Sequence, residues 1–96
     1  MIDLEKFFDE HRDEYLKFDR IRHYRSGRRD AHAFSLLDEL VPSEGKLVSG
    51  AECGNIFLDV DCETLSYVAS ESSLIELIRC GVWYNSKSKY LYISLE

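Results

Sequence analysis

The sequence predicts one α+β domain, an N-terminal helical hairpin packed on a small three-stranded antiparallel sheet, with two short helices inserted between the first strand and the final hairpin. Three observations predict it. Apolar residues recur at helical spacing through residues 4–41. They alternate with period two over 56–60 and again over 89–95. A chain of 96 residues with 45% hydrophobic content can bury one modest core and not a second, so residues 1–96 form a single domain.

Asp3 is a suitable N-cap, and Ile2 before it can staple onto Phe7, so a helix starts at Leu4. Leu4, Phe7, Phe8, His11, Tyr15, Phe18 and Ile21 then share one face, which extends the expected helix to about Arg25, with Ser26 and Gly27 as its stop. Asp30 caps a second helix with Ala33, Phe34, Leu37, Leu40 and Val41 on its apolar side, and Pro42 ends it. Residues 42–55 read as loop with room for one short strand near Leu47 and Val48. A strand over 56–60 places Ile56, Leu58 and Val60 on one side.

Asp61 and Ser70 cap two successive short helices, and Gly81 closes the second, whose Leu74, Ile75, Leu77 and Ile78 face the core. Val82, Trp83 and Tyr84 form the first arm of a hairpin that turns through residues 85–88. In its second arm Leu91, Ile93 and Leu95 alternate against Tyr90, Tyr92 and Ser94.

Charge narrows the partners. The net charge is −6, distributed as −4 over residues 1–19, +5 over 20–29 and −7 over 30–96. An acidic surface repels phosphate backbones, so nucleic acid would need a local basic patch. Arg20, Arg22, Arg25, Arg28 and Arg29, with His23 and Tyr24 among them, form the dense cationic cluster that an anionic partner would use. The bland alternative is that these arginines complement a helix end and pair with nearby carboxylates.

Neither a basic leader nor an apolar run near 18 residues is present, and Cys53, Cys62 and Cys80 are odd in number without metal spacing. The expectation is a cytoplasmic protein with reduced thiols and no membrane association. Asp59, Asp61 and Glu63 alternate like the start of a calcium loop, but Thr64 and Ser70 stand where that loop needs its Gly and Glu. Capping explains Asp61 and Glu63 without metal, and neither a metal nor a cofactor is expected. Gly45 and Lys46 lack the rest of a phosphate loop, and no nucleophile–base pair is set by spacing among the cysteines and His11, His23 and His32.

The element order over 30–96, helix, strand, two helices and hairpin, resembles the winged helix-turn-helix family. That resemblance implies a nucleic-acid-binding regulator whose hairpin, with Lys87 and Lys89, meets the backbone, with Arg28 and Arg29 as further phosphate contacts. The helix that would enter the groove, 71–79, carries Glu71, Glu76 and Arg79 and offers neither Asn nor Gln to read adenine.

Six Tyr, five Phe and one Trp are heavy aromatic content for this length, and the alternation turns Tyr90 and Tyr92 away from the aliphatic side of their strand. The expected function is a non-catalytic protein-binding module: a regulatory, adaptor or inhibitor protein of the kind phages and mobile elements carry. Its partner would be another protein or a second copy of the chain, with Trp83, Tyr90, Tyr92 and the five arginines as the binding residues.

Overall fold

The computed structural model describes residues 2–22, 24–25, 27–42, 48–52 and 54–94, with the side chains at 48, 49, 51 and 52 left aside. The first helix, α1, is Leu4–Glu10. Its N-cap is Asp3, whose carboxylate accepts the Lys6 backbone N–H at 3.3 Å.

The helix does not run to Arg25. It stops at His11, whose ring Nδ1 lies 2.8 Å from the Phe7 carbonyl, while the His11 backbone N–H goes to Phe8 instead. The imidazole thus takes the acceptor that the next helical bond needs. Two 3₁₀ turns follow, Arg12–Glu14 and Phe18–Arg20, separated by Leu16 at φ +62°. Tyr15, Phe18 and Ile21 still pack on the core, so the apolar pattern chose the right residues and the wrong path.

The expected helical hairpin is therefore a seven-residue helix, a strap over 12–25 and the second helix, α2, Arg29–Leu40. Its N-cap is Arg28, and Asp30 lies in the first turn, accepting the Ala31 N–H at 2.8 Å. His32, Ala33, Leu36 and Leu37 form its buried seam. Of the expected stop at Ser26 and Gly27 and the short strand near Leu47 and Val48, Ser26 and Leu47 lie outside the described residues, and Val48 begins a strand.

The three expected strands are joined by a fourth. β1 (Val48–Glu52), β2 (Asn55–Leu58), β3 (Val82–Asn85) and β4 (Tyr90–Ser94) form an antiparallel sheet in the order β1-β2-β4-β3. Between β2 and β3 come α3 (Cys62–Val68) and α4 (Glu71–Arg79), capped as their sequence predicts. Asp61 Oδ1 accepts the Glu63 and Thr64 N–H groups, and Ser70 Oγ accepts that of Ser73 at 3.1 Å. The chain is thus a small α+β fold, and from α2 onward the expected order of helix, strand, two helices and hairpin is altered by β1, inserted between α2 and β2.

One sheet face carries Leu58, Val82, Leu91 and Ile93 into the core with Phe8, Leu37, Leu65, Leu74, Leu77 and Ile78. Each such side chain contributes about 1.5–3 kcal/mol by leaving water. β3 is an edge strand, and α1 packs along it, with the Phe8 ring 5.4 Å from Trp83 and 6.0 Å from Tyr84. This cover blunts an edge that would otherwise invite pairing.

Candidate functional site

The register of the sheet builds the site. Phe57 pairs with Tyr92 and Tyr92 with Trp83, so three aromatic side chains form a row across β2, β4 and β3 on the face opposite the core. Tyr90, two residues before Tyr92, shares that face. Its ring is edge-to-face with Phe57 at 5.3 Å and tilted against Tyr92 at 6.2 Å. Phe57, Trp83, Tyr90 and Tyr92 all stay partly exposed.

At the β3 end, the Tyr15 ring meets Trp83 edge-on at 5.5 Å, and the Arg12 guanidinium carbon lies 5.6 Å above the indole. Arg12, Tyr15, Trp83 and Tyr92 line an open hollow of about 290 Å³. A second hollow of about 390 Å³, between α1 and the start of the hairpin, shares Arg12 and Trp83 and adds Asp3, Glu5, Lys6, Asp9 and Tyr84 among its walls. Burial pushes the Tyr92 phenol up from its ordinary value, with Tyr15 and Tyr90 adding to it. Burial does the same to Tyr84, seconded by Cys62, Glu5 and Asp3, so these phenols keep their protons at neutral pH.

The structure thus brings Trp83, Tyr90 and Tyr92 together and adds Phe57 and Tyr15. Phe57 was visible in the alternation of 56–60 as the residue turned from Ile56 and Leu58. Tyr15 gave no such signal, because its position follows from the break after α1.

The arginines of the cluster reach separate partners. Arg20 pairs with Glu14, Arg25 with Glu39, and Arg28 with Asp30 at 2.9 Å. Arg29 is a strut: its Nη1 donates to the Cys80 and Ser94 carbonyls, both at 3.1 Å, tying the end of α4 to the end of β4. Arg22 is exposed, with no partner among the described residues, and His23 lies outside them. Lys87 and Lys89 are exposed in the hairpin turn, where Asn85 Oδ1 accepts the N–H groups of Lys87 and Ser88.

The helix proposed as a groove reader is covered at its C-terminal end, while Glu71 and Ser72 at its start are exposed. The strap lies on α4: Arg79 Nε donates to Glu14 Oε2 at 2.7 Å, the Leu16 N–H reaches the Ile78 carbonyl, and Arg79 Nη1 reaches that of Arg20. The hydrogen bond from Arg79 leads the causes that hold the Glu14 carboxyl below its usual range, and Arg20 adds to it.

His32 is fully buried beneath the strap, where its Nδ1 accepts the Arg25 backbone N–H at 3.0 Å. The neutral ring therefore carries its proton on Nε2. That nitrogen comes within 3.3 Å of Glu76 Oε2 without the alignment of a hydrogen bond. Phe18 and Tyr24 stand edge-on to the imidazole.

The remaining groups are structural. Asp61 takes the Thr64 hydroxyl as well as two backbone N–H groups, which lowers its carboxyl pKa. Burial, with Asp61 beside it, pushes the Cys62 thiol up to about 11; burial, with Glu76, pushes Cys80 up to about 12. Both remain thiols, poor nucleophiles at neutral pH; Cys53 lies outside the described residues. Among the described residues, no three His, Cys, Asp or Glu side chains converge to hold a metal ion, and no helix is long and apolar enough to cross a membrane.

Compared with known proteins, the chain matches no family model, no curated protein and no solved structure.

Proposed function

We propose that the chain is a non-catalytic protein-binding module, a regulatory, adaptor or inhibitor protein, whose docking surface is the aromatic outer face of the sheet. The observation that carries this reading is the register-locked row of Phe57, Tyr92 and Trp83 with Tyr90 beside it. Rings fixed by cross-strand pairing lose little entropy when a partner covers them, and large aromatic side chains supply much of the energy of protein interfaces. The partner is another protein or a second copy of the chain. The setting is the cytoplasm, where Cys62 and Cys80 stay reduced.

The test is capture from the native host's lysate with wild type and with Tyr92→Ala, each with and without nuclease. A protein retained by wild type after nuclease and lost with Tyr92→Ala is the expected result. Equal retention by both variants refutes the docking face.

A second reading is a winged-helix-like nucleic-acid regulator. The β2-β4-β3 order and the exposed Lys87 and Lys89 favour it. The strap over α4 and the inward strut of Arg29 weigh against it. It predicts recovery that collapses with nuclease or raised salt and with charge reversal at Lys87 and Lys89.

A further inference from the structure

Arg12 is the informative residue of the outer face. Its guanidinium carbon lies 5.6 Å above the Trp83 ring, and its Nη2 is 2.8 Å from Asp9 Oδ1. Yet 70% of the Arg12 side chain and 65% of the Asp9 side chain remain exposed. A solvated pair of this kind holds its members weakly, so the cation can leave the ring at little cost. Its departure frees the Trp83 face beside the hollow that Arg12 now walls with Tyr15, Trp83 and Tyr92, and releases the Asp9 carboxylate, which lines the adjoining hollow.

We infer that this hollow, with the Trp83 face, is a receptor for an arginine side chain of the partner protein, and that Arg12, held over that face, is an internal competitor. The inference rests on the protein-binding reading and names the chemistry of the partner. A planar guanidinium can stack on the Trp83 face while its edge donates hydrogen bonds to Asp9, which an ammonium group cannot do in the same plane. The adjoining hollow adds Asp3 and Glu5 to Asp9, set against Lys6, and the whole chain carries −6, so the approach favours a cation over a carboxylate or a phosphate.

The test uses the full chain and the emission of Trp83, its one tryptophan. The probes are short peptides, acetylated and amidated at their ends, with Gly and Ser flanking a central arginine, citrulline or glutamate; an oligothymidylate serves as the nucleic-acid probe. The arginine peptide should titrate the emission at concentrations on the order of 1 mM, with citrulline, its neutral isostere, at least about five-fold weaker. Arg12→Ala removes the competitor and should tighten arginine binding about two- to five-fold. Asp9→Asn should weaken it.

The sign of the Arg12→Ala effect is decisive, because a site for an anion would lose affinity when its arginine is removed. Citrulline or glutamate binding as well as arginine, tighter binding of the oligothymidylate, weaker binding by Arg12→Ala, or unchanged emission up to about 10 mM peptide each overturns the proposal. If the peptides fail while Tyr92→Ala still loses its captured protein, the arginine site is wrong and the docking face stands. If both fail, both are wrong.

Discussion

Glu14 and Arg79, 65 residues apart in the chain, meet through a 2.7 Å hydrogen bond between Oε2 and Nε, and Arg20 takes the other oxygen of the same carboxylate. This contact fastens the strap over 12–25 to the end of α4. Glu14 is mostly covered while Arg20 remains half exposed, so most of the effect belongs to the Arg79 side. Glu14→Gln should cost about 1–2 kcal/mol at neutral pH.

The pH dependence has a definite sign. The Glu14 carboxyl is held below its ordinary value of 4.5, chiefly by Arg79, so the folded state prefers the ionised form. The contribution is fully present above 4.5 and fades as pH falls through the lower folded value. Melting temperatures measured from about pH 6 down to about pH 3 should drop less steeply for Glu14→Gln than for wild type. Parallel curves would mean that the contact contributes nothing to folding.

Gly81 should accept no side chain. Its φ is +97°, and a Cβ there would lie 2.5 Å from Arg29 Nη1 and 2.8 Å from Leu16 Cδ2. Gly81→Ala therefore strains the backbone and displaces the strut that donates to Cys80 and Ser94, for a loss of about 2–4 kcal/mol. In an Arg29→Ala background, part of that cost is already spent. A double-mutant cycle by urea unfolding should return a coupling of at least about 0.5 kcal/mol, and strict additivity would separate the two residues.

Gly81 was legible in the sequence, and so were Asp61, Ser70 and the alternation of Tyr90 to Ser94, because caps and strand faces are decided by residues a few positions apart. The end of α1 was not. Tyr15, Phe18 and Ile21 continue a helical apolar pattern, but the pattern records which residues are buried and not the route by which they arrive. The route is set by the His11 ring on the Phe7 carbonyl, by Leu16 at positive φ, and by Arg79, which a local window over Glu14 cannot contain. The separate partners of the arginines were hidden for a related reason. Neighbours in sequence, they sit on a 3₁₀ turn, a loop and a helix start, and each side chain with an identified partner reaches a different acceptor.

His32 fixes the far end of the strap. Its Nδ1 is the acceptor for the Arg25 N–H, and Phe18 and Tyr24 pack against its ring. His32→Phe fills a similar space but leaves that N–H without its partner, so the loss should be about 1–3 kcal/mol with an unchanged denaturant slope. Amide exchange should show the strap opening more readily while α4 and β4 keep their protection. Uniform loss of protection across the domain would instead make His32 a general core residue.

The two faces of the sheet should respond to mutation in opposite ways. Leu77, fully buried between helix and sheet, has no exposure to offer a partner; Leu77→Ala should cost about 2–5 kcal/mol. Tyr90 touches Phe57 and Tyr92 on the outer face and is partly exposed, so Tyr90→Thr keeps a strand-forming residue and should cost less than about 1 kcal/mol. Urea midpoints of the isolated chain measure both. If Tyr90→Thr proves as costly as Leu77→Ala, the outer rings serve as a second core, and their exposure is no argument for a partner. If Tyr90→Thr leaves stability nearly unchanged while it abolishes capture of the partner, the aromatic row is a surface kept for binding, because a ring that adds little to folding must draw its energetic role from what covers it.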